Sequence, residues 1–172
     1  MESNQKLNNR NRILVIGPSG VGKSTISKKI AEICNYEYID LDVAAKVHDG
    51  SEYPKRGVEI IEAVERRNDG KTYIIDIGAG FQNQEALFEF FEERKSRLLC
   101  IYAPPDIAYL RNINRKNSYW ENKTIDAYKE CEYSEYRERL YSLGEKTINT
   151  DAYNTGQKMC AWIESFPLFG TY

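Results

Sequence analysis

Short apolar runs alternate along this chain with stretches in which apolar residues recur every three or four positions. Arg12-Ile-Leu-Val-Ile16 is an apolar run ending at Gly17, the pattern of a strand buried on both faces. Within Lys23–Cys34, Ile26, Ile30 and Ile33 recur at helical spacing. Tyr36–Ile39 predicts a second strand, closing on Asp40-Leu41-Asp42. The stretch 43–55, with Gly50 and Pro54, has no clear period, and Val58, Ile61 and Val64 then mark a helix. Thr72–Ile77 predicts a third strand ending in Gly78-Ala79-Gly80. A helix over Glu85–Lys95 and a strand over Arg97–Tyr102 follow. Pro104-Pro105 stops that strand and opens a helix to about Arg115. Residues 116–123 read as an exposed loop, Thr124–Leu143 as a stretch of helical composition, Lys146–Asn149 as a last strand and Thr155–Ser165 as a last helix. Strands alternating with helices predict an α/β domain with a parallel sheet covered on both faces. The polar stretch 1–11 reads as a flexible N-terminus and 12–172 as a single domain, with no internal repeat.

Composition narrows the partners. The 172 residues suit one domain of ordinary size. With 24 Lys+Arg against 26 Asp+Glu, the net charge of −2 argues against bulk capture of nucleic acid or an anionic membrane. Cys34, Cys100, Cys131 and Cys160 are widely spaced and accompany a single histidine, His48. That is neither a zinc pattern nor a disulfide framework, so four reduced thiols in a cytoplasmic protein are expected. The N-terminal stretch lacks the apolar core of a signal peptide, and no apolar run is long enough to span a bilayer.

One segment carries specific chemistry. Gly17-Pro-Ser-Gly-Val-Gly22-Lys23-Ser24 fits GxxxxGK(S/T), placed between an apolar strand and an amphipathic helix. Glycines let such a loop curl so that backbone N–H groups face phosphate oxygens. The helix N-terminus adds positive potential, Lys23 reaches the β/γ-phosphates, and the Ser24 hydroxyl is placed to ligate Mg²⁺. Gly17, Gly20, Val21, Gly22, Lys23, Ser24 and Thr25 are therefore the candidate nucleotide-binding residues. Asp76-Ile-Gly-Ala-Gly80 and Asn122-Lys-Thr-Ile-Asp126 each carry one residue too many for the GTPase signatures DxxG and NKxD. Asp76, ending an apolar strand, has a Walker-B-like placement for Mg²⁺ or is a strand-end aspartate. Asp40 and Asp42 share one side of the chain as i and i+2. They are either a helix-capping or loop pair, or one carboxylate near Mg²⁺ and one accepting a proton from an acceptor hydroxyl.

Taken in order, GPSGVGKS, then YIDLD, then Ser51-Glu-Tyr-Pro-Lys-Arg56-Gly-Val-Glu59 resemble shikimate kinase. That family's GExxFRxxE segment keeps its Glu, Arg and second Glu here. Its GGG loop falls on Gly78-Ala79-Gly80, and its late RxPLY stretch resembles Arg137-Glu-Arg-Leu-Tyr141. The resemblance runs from about Arg12 to Trp162. It implies a three-layer P-loop kinase fold with a five-stranded parallel sheet in the order 2-3-1-4-5, an acceptor-binding segment over about 43–67 and a mobile lid over about 112–123. It also implies that Asp40 supports the metal, that Asp42 orients or deprotonates the acceptor hydroxyl, and that Arg111 lies near the adenine. Arg56 and Arg137 would grip an acceptor carboxylate with paired N–H donors, and Gly78, Ala79 and Gly80 would line the acceptor pocket.

Three departures fall on the acceptor side. The segment between Asp42 and Arg56 is short for the family, Ala79 replaces a glycine, and the lid lacks RPLL, leaving Lys116 or Trp120 as stand-ins. The expectation is an alcohol-group phosphotransferase using ATP and Mg²⁺ on a small, anionic metabolite, shikimate or a related acceptor, as a monomer or weak dimer. Alternatives are a sugar, polyol or nucleotide-linked acceptor, a nucleoside monophosphate kinase, or a non-catalytic ATP-binding module to which the apolar tail Phe166-Pro-Leu-Phe169 could dock a partner.

Overall fold

A computed structural model describes residues 11–46 and 52–165. The N-terminal ten residues, His48, Gly50, Ser51 and the apolar tail from Phe166 lie outside the described residues. Five strands, β1 (Arg12–Ile16), β2 (Glu37–Asp40), β3 (Tyr73–Asp76), β4 (Leu98–Tyr102) and β5 (Glu145–Ile148), form one sheet in the order β2-β3-β1-β4-β5. All four pairings are parallel. The sheet order is the expected one.

Alternation along each strand sorts its side chains into two cores. Leu14, Ile16, Ile75, Leu98 and Cys100 face one side, against Ile61 and Val64 of α3 (Tyr53–Glu65), Phe91 of α5 (Phe88–Glu92) and Leu140 of α8 (Glu135–Tyr141). Ile13, Val15, Ile74, Leu99 and Ile101 face the other. There they meet Ile26 and Ile30 of α1 (Lys23–Cys34), Ala108 of α6 (Pro105–Ile113), Tyr128 of α7 (Ile125–Glu132) and Met159 of α9 (Ala152–Glu164). Each fully buried isoleucine contributes about 1.5–3 kcal/mol relative to exposure. The result is a three-layer α/β domain.

The departures from the sequence reading are local. Thr124–Leu143 is two helices, because Ser134 has left helical geometry and its hydroxyl accepts from the amide of Arg137, capping α8. The predicted helix 85–95 is reduced to α5 between two 3₁₀ turns. The unassigned stretch after β2 contains α2 (Leu41–Ala45), started by the Asp40 carboxylate accepting from the amide of Val43 at 3.1 Å. The glycine loop after β3 turns directly into α4 (Ala79–Gln82).

Cysteine pairing is a further correction. Cys34 at the end of α1 and Cys160 on α9 form a disulfide, because these helices pack side by side and bring the two positions together. Cys100 and Cys131 are free thiols. No helix among the described residues is long and apolar enough to cross a membrane.

Candidate active site

The five strands end at one edge of the sheet, and the loops leaving β1, β2 and β3 enclose a cavity of about 450 Å³. Its floor is the loop between β1 and α1. Gly17, Gly20 and Gly22 have φ of 142°, 82° and 94°, values that L side chains rarely adopt. A methyl group at Gly20 would meet the Asn112 amide and the Ala108 carbonyl, and one at Gly22 would meet the Asn149 amide. The loop is held from outside by four side chains from distant parts of the chain. Asn112 donates to the Ser19 carbonyl (2.8 Å) and accepts from the Ser19 hydroxyl (3.0 Å). The Tyr128 hydroxyl also donates to that carbonyl, at 2.5 Å. The Asn149 amide donates to the Val21 carbonyl (2.5 Å), and Gln82 accepts from the Gly17 amide (3.0 Å). An anion cradle of this kind is useful only if it is rigid before the anion arrives, and these bonds supply that rigidity.

Lys23 opens α1 and donates to the Pro18 carbonyl at 3.0 Å. Desolvation holds its pKa below the ordinary lysine value, against the opposing pull of Asp76 and Glu132. The Ser24 hydroxyl donates to Asp76 Oδ2 at 2.5 Å, and Tyr38 donates to the same oxygen at 3.3 Å. Burial raises the Asp76 pKa, and Lys23 and Ser24 pull it back. Asp40 and Asp76 are register partners at the ends of β2 and β3, which places two carboxylates side by side beside Ser24. Mg²⁺ takes one or two carboxylates, directly or through water, and fills its octahedron with hydroxyl, phosphate and water oxygens. Ser24, Asp76 and Asp40 fit that demand, although one Asp40 oxygen is already used to cap α2.

Asp42 projects into the same cavity from the first turn of α2. Its carboxylate accepts from the Tyr53 hydroxyl and lies so close over Gly78 that a β-carbon there would collide with it. Glycine at 78 is thus required by Asp42 rather than by a turn, since Gly78 has an ordinary extended φ of −67°. The Tyr53 pKa is raised by burial and by the bond to Asp42, so it stays a donor. Tyr53 escaped the sequence reading, although its position ahead of Pro54 at the start of α3 was a usable sign.

The structure collects Gly20, Gly22, Lys23, Ser24, Thr25, Asp40, Asp42, Asp76, Gly78 and Ala79 around one cavity. Val21 is fully buried beneath it, and Gly17 packs on Ile101. Gly80 is exposed and approaches Tyr53. Arg111, exposed, donates to the Val21 carbonyl at 3.4 Å.

The two expected anion grips are placed differently. Arg56 is exposed, pairs with Glu59 at 3.4 Å and stands outside the cavity lining. Arg137 is 1% exposed and fully engaged within the chain. It donates to the Tyr141 hydroxyl (2.7 Å), the Ala79 carbonyl (3.3 Å), Asn83 (2.5 Å) and the Glu132 carboxylate (2.9 Å). Glu132, also buried, accepts at the same oxygen from the Ser19 amide at 2.9 Å. Arg137 is therefore closed off from solvent, and the Arg56 guanidinium, although exposed, stands outside the cavity lining.

The expected lid region is anchored at both ends, by Asn112 on the phosphate loop and by Trp120, which is 5% exposed and packed edge-on against Tyr128. Trp120 is thus a core residue and not a cover, and Lys116 is exposed. The cation that lines the cavity from this stretch is Arg115, which sequence reasoning left at the end of the preceding helix, two residues beyond where that helix stops at Ile113.

Residues 13–132 match the family model described as AAA domain. A bifunctional shikimate kinase/3-dehydroquinate synthase of Thermotoga maritima is 30% identical over 152 residues, 78% of this chain. The chain spans only 26% of that relative's length. The crystal structure of shikimate kinase from Aquifex aeolicus superposes with a TM-score of 0.71 at 20% identity, over 92% of this chain and 99% of that one. A gluconokinase from Sinorhizobium meliloti shares the fold more distantly, with a TM-score of 0.56 at 14% identity over 92% and 99%. The chain belongs to the AAA-domain family of P-loop proteins and is similar to shikimate kinases.

Proposed function

We propose that this chain is an ATP-dependent phosphotransferase that moves the γ-phosphoryl group to a hydroxyl of a small molecule. The observation that carries the reading is Asp42: a carboxylate on the β2 side of the cavity, opposite the phosphate loop and held by Tyr53 and Gly78. A protein that only bound nucleotide would have no use for a fixed base at that place.

In the reaction, the acceptor oxygen forms a bond to the γ-phosphorus and its proton passes to Asp42. The bond from that phosphorus to the β–γ bridging oxygen breaks, and its electron pair leaves with ADP. Little covalent chemistry falls to the protein, so positioning and charge neutralisation carry the rate. The phosphate-loop amides orient the triphosphate, Lys23 follows the charge developing on the transferred group, and Arg115 adds positive charge from the α6 side. Mg²⁺, when bound at Ser24, Asp76 and Asp40, would neutralise the phosphates. The likeness to shikimate kinases supports a hydroxylated ring or chain as acceptor, and the likeness to a gluconokinase is a reason to test open-chain compounds too.

The test is ATP consumption against a panel of hydroxylated compounds, followed by Asp42→Asn on the best acceptor. Turnover should fall by about 10²–10⁴-fold, the usual worth of a general base, with Mg·ATP affinity kept within a few-fold. Unchanged turnover would remove Asp42 from its role.

A further inference from the structure

On that reading of the site, we infer that the acceptor carries no negative charge, because Glu132 occupies Arg137 and no other described cation faces the acceptor end of the cavity. Sheet order fixes which end is which. The phosphate loop follows the central strand β1, while Asp40 and Asp42 follow β2 and Gly78 and Ala79 follow β3, on one side of it. Arg115 follows β4 and α6, on the other side, where the nucleotide has to extend. The acceptor end is therefore bounded by Asp40, Asp42 and the Gly78-Ala79 backbone, with Asp76 between the two ends.

Arg137 reaches this end from behind, through its bond to the Ala79 carbonyl. All three of its nitrogens are used, and its charge is neutralised by a carboxylate that is itself 2% exposed. To turn toward an acceptor carboxylate, Arg137, itself 1% exposed, would have to leave Glu132, whose remaining partners are the Ser19 amide and the charge of Lys23. Breaking a buried pair in that way is strongly unfavourable. An acceptor anion would also lie against Asp40 and Asp42 in a site of low dielectric, where like charges repel. Arg56 is turned to Glu59 at the surface. What the end offers is acceptor oxygens from carboxylates and a backbone carbonyl, a surface suited to hydroxyl groups of a neutral polyol or sugar, or of an amino-bearing analogue. Glu132 is on this account a specificity-determining residue that acts through Arg137.

The experiment sets neutral polyols and sugars, amino sugars, and hydroxy-acids such as shikimate and gluconate against the full-length protein. Turnover with Mg·ATP and binding in the presence of Mg·ADP are measured for each compound. The expected result is that the best uncharged or amino-bearing compound exceeds the best hydroxy-acid at least tenfold in both. If nothing is turned over, the phosphotransferase reading fails by itself, and the inference is still decided by which charge class binds. Tighter binding by a hydroxy-acid, or binding by no uncharged or amino-bearing compound, overturns it. Glu132→Gln frees Arg137 and should shift the hydroxy-acid to neutral ratio about tenfold toward the acid, while Arg137→Lys should leave that ratio near wild type. An unmoved ratio in a folded Glu132→Gln protein also overturns the assignment. The wild-type comparison stands even if that variant does not fold.

Discussion

The two ends of the cavity are built by different rules. At the phosphate end, function sits in the backbone. Three glycines with positive φ form the loop, and its carbonyls are tied by Asn112, Tyr128 and Asn149 from elements far apart in sequence. At the acceptor end, function sits in side chains, and nearly every charged one has a partner inside the chain. Asp42 has Tyr53, Asp40 has the Val43 amide, Arg137 has Glu132 and Arg56 has Glu59. A backbone cradle accepts any polyphosphate and tolerates little change. A side-chain pocket can be re-aimed by altering one partner, so two chains can share the first end while differing in what they phosphorylate.

The strongest way to break the contrast is to remove the cation at the phosphate end. Lys23→Ala should lower turnover by about 10²–10³-fold, the typical cost of one group aimed at developing charge, with every acceptor alike. Steady-state kinetics on two acceptors of different charge class would check it. A loss confined to one acceptor would mean that Lys23 belongs to the acceptor end.

The same contrast explains what was legible in the sequence. The phosphate loop was readable because its chemistry needs fixed residue types at fixed spacing, bounded by a strand and a helix. The sheet was readable because Ile13–Ile16, Ile74–Ile75 and Leu98–Ile101 are buried on both faces and so leave uninterrupted apolar runs. Asp42 was legible only beside the loop. The Glu132–Arg137 pair left no trace, because two charges that neutralise each other in the interior look in sequence like two surface charges. The break between α7 and α8 was hidden for a related reason, since one serine capping a helix has no periodicity. The Cys34–Cys160 pair, 126 positions apart, depends on helix packing that spacing does not encode.

Asp76 sharpens the boundary between the ends. Burial raises its pKa, so its proton is held more tightly in the folded chain than in the unfolded one. A carboxyl of that kind costs no stability while protonated in both states, and its contribution is lost as pH rises through the folded value. Asp76→Asn should therefore melt above wild type near neutral pH without nucleotide, and the difference should vanish in acid. The half-saturating Mg²⁺ for turnover should rise about 10–100-fold, the range for groups that hold or orient a metal's ligands. Thermal melts across pH and a Mg²⁺ titration of the rate test both halves. A lower melting temperature at neutral pH would show that the bond from Ser24 and the attraction of Lys23 outweigh burial.

The smallest expected effect is also the most pointed, because the family likeness predicts a large one. Arg56 matches the position that would hold an acceptor carboxylate, yet its side chain is 54% exposed and its partner Glu59 is 49% exposed, three residues along the same helix. An exposed pair of this sort contributes little, about 0.2–1 kcal/mol. Arg56→Ala should then leave turnover within about twofold and stability within that same margin. Michaelis constants for a neutral and an acidic acceptor, measured on the variant and on wild type, decide the matter. A large rise for the acidic compound alone would mean that Arg56 swings inward on binding. The acceptor end would then be assembled by its substrate instead of waiting for it with its charges already paired.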